Sequence, residues 1–291
     1  MSRFDSILLP LDGSPESAKA VGCAVWLAER LGATLHVLYS TSRPLPPGEA
    51  LDRLCAGPAR RARTVLHQTR HEPVQAALEE TAEHAVKLVV MSARGGSASA
   101  GVDPGRELGR VATALIEESA VPVLLLPVHY RESLPWESML VAASGEAAAD
   151  QALASAVRLS AMLRLRVSVV YVAEAAAGVG PLAAYADAPQ HEYPRRLEEM
   201  VRRAIVGASP EECRCVDEVR VRRGDPATEL LADVEDRRSS VLALGWHGAL
   251  GATRAPVLRR LLERAECPLL VVREVSRSRV RLKVGDAIGE L

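Results

Sequence analysis

The 291-residue chain has a single Phe, an aromatic fraction of 3% and only three lysines, Lys19, Lys87 and Lys283. So few rings leave little to stack bases. The arginines fall in doublets such as Arg202 and Arg203, Arg237 and Arg238, and Arg259 and Arg260, spread along amphipathic helices, so they read as solvated faces and not as one basic stripe. The net charge of −1 adds no pull toward nucleic acid. No apolar run approaches the ~18 residues of a membrane span, and the opening residues Met1 to Ser6 lead into a strand without a secretory-type apolar segment. Five cysteines, an odd number at irregular spacing, suit a reducing compartment better than a disulfide framework. These absences predict a cytoplasmic protein with no nucleic-acid partner and no membrane partner.

What is present is apolar residue at 48% against 25% charged, enough for sizeable cores. The length favours two domains of about 150 residues each. Ile7 to Leu11 is a continuous apolar run, expected of a strand covered on both faces. Asp12, Gly13, Ser14 and Pro15 turn it into a helix. Ser14 can cap, Pro15 fits the first helical position, and Ala18, Val21, Ala24, Val25, Ala28 and Leu31 form the apolar stripe before Gly32 closes it. Strands follow at Thr34–Tyr39 and Arg63–Thr69, with a short helix at Glu49–Cys55 in the long connection between them. A helix from Pro73 to His84 leads to the strand Lys87–Met91, then a glycine-bearing loop, a helix and the apolar strand Pro122–Leu126. Alternating β and α elements imply a parallel sheet with helices on both faces. Ligands of such sheets bind beyond the carboxyl ends of the strands, where a glycine loop feeding a helix offers N–H groups to phosphate. Asp12 stands at such an end, and reads either as a turn residue bonding its own backbone or as a ligand contact. His36 and His84 read as lone histidines in surface or capping roles, without metal-ligand spacing.

Pro127 to Pro135 is polar and proline-bounded, the natural domain boundary. After it the pattern restarts: Met139 to Tyr171 aligns without a gap on Ile7 to Tyr39, with Leu8 and Leu140, Gly13 and Gly145, Leu31 and Leu163, and Tyr39 and Tyr171 matching in identity. A period this long signals a duplicated domain and not a solenoid. The second half carries an Ala-, Gly- and Pro-rich insertion before a helix at Arg195–Val206. It then has a strand at Val216–Arg222, the helix opening Gly224, Asp225, Pro226, a strand at Val241–Gly245, a basic helix at Val257–Glu266 and the strand Pro268–Val272. The expected layout is domain 1 over 1–130, domain 2 over 136–275 and a C-terminal extension over 276–291, where Arg279–Val284 alternates like an added edge strand.

Ile7-Leu-Leu-Pro-Leu-Asp-Gly-Ser14, the Gly-Asp-Pro opening at Gly224, Ala243-Leu-Gly-Trp-His-Gly248 and the two Pro-led apolar strands together resemble the universal stress protein family in its tandem form, over nearly the whole chain apart from its last residues. The resemblance implies an α/β fold of two tandem open parallel-sheet domains, five strands each in the order 3-2-1-4-5, with helices on both faces. It also implies an intramolecular pseudo-dimer in which Pro122–Leu126 meets Pro268–Val272, each an apolar edge that invites pairing; a homodimer and the identity of any protein partner stay open. ATP-binding members of that family use an Asp after the first strand for the base and a loop of the form Gly-x2-Gly-x9-Gly-(Ser/Thr) for the phosphates. In the first half Asp12, Gly95 and Gly109 keep their places, but thirteen residues separate the two glycines and Arg110 stands where a hydroxyl is expected. Arg110 could offer a charged fork at the same helix start, with the amides of Gly109 to Val111 beside it. In the second half Ser144 replaces the acid, the connection after Gly248 is three residues shorter, and Ala255 and Pro256 replace the final pair. Pro256 has no N–H to give. The candidate site residues are therefore Asp12, Gly95, Gly109, Arg110 and Val111.

What this implies is a cytosolic stress-response regulator binding ATP or another adenine nucleotide weakly, in domain 1 alone. The alternative is a nucleotide-free stress or scaffold protein acting through protein contacts or another small ligand. Whether Arg110 points into the crevice beside Asp12 or pairs with an acid such as Glu107 discriminates the two. Neither half gathers a nucleophile, a base and an orienting acid, so no enzyme is expected. Cys213 and Cys215, with His191, Glu211 and Glu212 upstream, are too closely spaced for a usual zinc set. They read as cysteines at a strand start, and no metal is expected.

Overall fold

The computed structural model describes residues 3–96, 108–173, 193–247 and 255–274. The first half runs β1 (Ser6–Leu11), α1 (Pro15–Leu31), β2 (Thr34–Ser40), α2 (Pro47–Arg53), a 3-10 turn, β3 (Arg63–Thr69), α3 (Pro73–Glu83), β4 (Leu88–Ser92), α4 (Arg110–Glu118) and β5 (Val123–Leu126). The second runs β6 (Ser138–Ala143), α5 (Ala147–Leu163), β7 (Arg166–Ala173), α6 (Tyr193–Ala204), α7 (Pro210–Arg214), β8 (Val216–Arg223), α8 (Pro226–Arg237), β9 (Val241–Trp246), α9 (Pro256–Arg264) and β10 (Leu269–Arg273). Local chemistry explains the turns. The Ser14 side chain accepts from Ser17 N to cap α1, and Gly32, at φ 63°, ends it in the left-handed region that a side chain disfavours. The expected strand 279–284 lies outside the described residues.

The strands form one ten-stranded sheet in the order β3-β2-β1-β4-β5-β10-β9-β6-β7-β8. Within each half the pairs are parallel, and β1 lies between β2 and β4 as β6 lies between β7 and β9. The halves meet where β5 pairs antiparallel with β10, Leu125 opposite Leu269 and Leu124 opposite Leu270. Strands buried on both faces give two cores. Ile7, Leu9 and Leu11 of β1 point into the layer with α1, α2, α5 and α6, whereas Leu8 points into the layer with α3, α4, α8 and α9. Both layers run through both halves. The connecting segment packs as well: Trp136 is buried and its ring lies 5.0 Å from that of Trp26. Among the described residues no helix is long and apolar enough to cross a membrane.

Leu270, fully buried, sits at the joint between the halves. Leu270→Ala should lower stability by about 2–5 kcal/mol and keep a single denaturant transition, because the cores are shared. Two separate transitions in the wild-type protein would contradict the shared core.

Candidate functional site

Beyond the carboxyl ends of β1, β2 and β4 lies a cavity of about 400 Å³, within the range of small-molecule pockets. All five sequence-derived candidates, Asp12, Gly95, Gly109, Arg110 and Val111, line it. Leu11, Leu38, Tyr39 and Met91 add apolar and aromatic wall. Asp12 takes the turn role, and it also reaches across to the loop after β4. Its Oδ1 accepts from Ser14 N at 2.9 Å and Ser14 Oγ at 2.6 Å, and its Oδ2 accepts from Gly96 N at 2.7 Å. A carboxylate has about four lone-pair sites, so roughly one is left for a ligand. Burial works to raise the Asp12 pKa, but the hydrogen bonds from Ser14 and Gly96, with the Ser17 hydroxyl close by, outweigh it and hold the carboxyl below its usual range. Gly95 has to be glycine for this closure, since a Cβ there would overlap Asp12 Oδ2.

The phosphate end differs from the sequence reading. Gly109 N is already donated to Ala93 O at 2.7 Å, so it is not a free ligand donor as expected. The amides that precede the first intrahelical bond, from Thr113 N to Gly109 O, are those of Arg110, Val111 and Ala112. Arg110 lines the cavity, but its guanidinium pairs with Glu72 Oε1 at 2.6 Å and not with Asp12. Glu107 lies outside the described residues. The same tie recurs in the second half, where Arg260 bridges Asp225 at 2.8 Å, and in each case the acid caps the following helix. Arg94 escaped the sequence reading although it directly precedes Gly95. It lines this cavity and a smaller one of about 200 Å³ beside Glu16 and Lys19, and its Nε is buried with no hydrogen-bond partner among the described residues.

The second half closes the corresponding place. In the first half Ser92 Oγ donates to Glu16 O at 2.6 Å, which sets the distance between β4 and the first turn of α1. At the matching position Gly245 has no side chain, and the first turn of α5 packs so closely that a Cβ would overlap the backbone of Ala148 and Ala149. Glu146 Oε2 meets His247 Nε2 at 2.6 Å across the mouth. Ser144, in place of the acid, accepts from Glu146 N at 3.3 Å and so acts as a turn residue. The helix opposite begins with Ala255 at φ 65° and Pro256, which has no N–H.

The model of the universal stress protein family matches this chain twice, over residues 3–127 and 135–273. The chain belongs to the universal stress protein family. A universal stress protein from Archaeoglobus fulgidus DSM 4304 is similar over 94% of this chain and 99% of its own, at 18% identity and a TM-score of 0.65. A functionally unknown protein from Pseudomonas aeruginosa PAO1 is similar over 93% of this chain and 92% of its own, at 15% identity and a TM-score of 0.59. At these identities the likeness is one of fold. A universal stress protein solved in complex with cAMP matches 47% of this chain and 97% of its own, at 14% identity and a TM-score of 0.34. No curated protein matches the chain.

One further cluster in this tandem universal stress protein overturns a sequence expectation. His36 and His84 are not lone histidines: with His67 they bring one ring nitrogen each within 4.8 Å of one another. The parallel register of β2 and β3 sets Leu38 opposite His67, two residues beyond His36 on the same face, and α3 crosses over them carrying Glu80 and, at its cap, His84. Linear spacing hides this because the residues come from three elements. Burial, with His67 and His84 adding to it, pushes the His36 pKa down to about 4, and burial likewise lowers that of His67. Cys213 lies exposed in α7 and Cys215 caps it, just ahead of β8, where its Sγ donates to Glu212 O at 2.9 Å.

Because Gly245 is packed against the α5 backbone, Gly245→Ala should cost about 1–3 kcal/mol of stability, read from the denaturant midpoint. An unchanged midpoint would mean that the second crevice is not closed in this way.

Proposed function

We propose that this tandem universal stress protein is a cytoplasmic, non-enzymatic stress-response regulator that holds an adenine nucleotide weakly, in the crevice of its first half alone. The observation that carries the reading is the asymmetry between the halves. One crevice keeps a cavity of about 400 Å³ with Asp12, a glycine turn, Tyr39 and the first amides of α4, whereas the other is crossed by Glu146 and His247. Tyr39, Leu38 and Met91 suit the face of a base, and the remaining acceptor site of Asp12 suits an amino or ribose hydroxyl donor. Helix-start amides and the Arg94 guanidinium, whose Nε has no partner among the described residues, suit the phosphates. Weakness follows from Asp12 and Arg110 being engaged within the chain before any ligand arrives. Those same ties favour a second reading, a nucleotide-free stress or scaffold protein in which Asp12 and Arg110 are structural.

Calorimetry with ATP separates the readings. Losing a charged hydrogen bond costs about 1.5–3 kcal/mol, so Asp12→Ala should weaken binding by roughly ten- to a hundredfold. Ser144→Ala should leave it unchanged. An undiminished signal in Asp12→Ala, or one lost only in Ser144→Ala, would put the site in the wrong half, and no heat with the wild-type protein would favour the nucleotide-free reading.

A further inference from the structure

The two halves fill one position of the fold with different chemistry. In the second half Asp233, the eighth residue of α8, is fully buried and is held by a two-pronged pair with Arg220, the fifth residue of β8, at 2.8 and 2.9 Å. Arg222 adds a third hydrogen bond at 2.9 Å. Fixed positive charge thus answers the buried acid. In the first half the eighth residue of α3 is again an acid, Glu80, and the fifth residue of β3 is His67. His84 lies four residues beyond Glu80, so imidazoles face this acid where guanidinium groups face Asp233. Glu80 Oε2 is buried, 3.2 Å from His67 Nδ1 and 3.0 Å from His84 Nε2, yet no hydrogen bond of proper geometry reaches it among the described residues. On the other side His67 Nε2 lies 2.9 Å from His36 Nδ1.

Three rings with centroids 4.5–5.1 Å apart repel one another if all are protonated, so they cannot together supply the charge that Arg220 supplies in the second half. They do supply lone pairs. We infer that His36, His67 and His84 bind one divalent transition-metal ion, with Zn²⁺ the best fit, and that Glu80 balances its charge from the far side of His67. Three neutral imidazoles are a usual zinc donor set, with bonds of about 2.0–2.1 Å. Their ring nitrogens already lie within 4.8 Å of one another, and because the rings stack at 20–45°, side-chain rotations that fan them apart aim the in-plane lone pairs at one ion. Glu80 facing His67 Nδ1 leaves Nε2 as the coordinating atom, the arrangement in which a carboxylate fixes the tautomer and orientation of a ligating histidine. The ion would tie α3 to the β2–β3 edge of the sheet, where Glu80 has no permanent partner.

The test uses the full chain with Cys213→Ser and Cys215→Ser, so that this closely spaced thiol pair does not compete, and Zn²⁺ alone as the probe, measured by competition with a chromogenic chelator. About one ion per chain is expected, with a rise in the melting temperature on loading. His67→Gln and His84→Gln, at partly exposed positions that leave the fold intact by circular dichroism, should each weaken binding by about a hundredfold or more, and Glu80→Gln by about ten- to a hundredfold. Co²⁺ in place of Zn²⁺ should show visible d–d bands that the two histidine variants lose. No zinc uptake by the Cys213→Ser, Cys215→Ser protein, or uptake undiminished in both histidine variants, overturns the assignment.

Discussion

The antiparallel pairing of β5 with β10 is the constraint on which the rest of the molecule depends. Each half alone would end in an apolar strand with an open row of N–H and C=O groups, a template for association with another chain. Joining Val123–Leu126 to Leu269–Arg273 removes both edges at once and makes one sheet out of two. Because the joint is antiparallel while each half is parallel within itself, the carboxyl ends of the strands point to opposite rims of the sheet. The two crevices therefore open at opposite rims of one sheet.

That separation let the same framework take on different chemistry position by position. Ser92 holds the start of α1 away from β4 with a hydrogen bond, and Gly245 lets the start of α5 close onto β9. Asp12 reaches across to Gly96, whereas Ser144, among the described residues, bonds within its own turn. The acid that caps the following helix is bridged by an arginine in both halves, from Arg110 in one and Arg260 in the other. Behind the sheet the buried Asp233 faces arginines in one half, and the partly buried Glu80 faces histidines in the other. Among the described residues the first half lines a cavity of about 400 Å³, and Glu146 and His247 tie the mouth of the second.

Much of the fold was legible in the sequence because its signals are local. Ser14, Pro15 and Gly32 mark the ends of α1 by capping chemistry, and the doubly buried strands announce themselves as apolar runs such as Ile7 to Leu11. Five crevice residues were legible through the resemblance to the family's glycine-loop motif, Asp12 also because it stands at a strand end. What escaped depends on partners far along the chain. Glu72 as the partner of Arg110, Ala93 O as the acceptor of the Gly109 amide and the packing of Gly245 against α5 are set by how elements cross. The histidine cluster was hidden for the same reason, since His36, His67 and His84 show no ligand spacing until β2 and β3 lie side by side under α3.

The central claim is that the two crevices are chemically unequal and that only the first admits a nucleotide. Photolabelling with 8-azido-ATP followed by peptide mapping reads this most directly. The account predicts nucleotide-protectable label on first-half peptides that line the cavity, those carrying Leu38 to Ser40, Met91 to Gly96 or Gly109 to Ala112. Protectable label on peptides around Ser144 to Ala149 or Gly245 to His247 would contradict it.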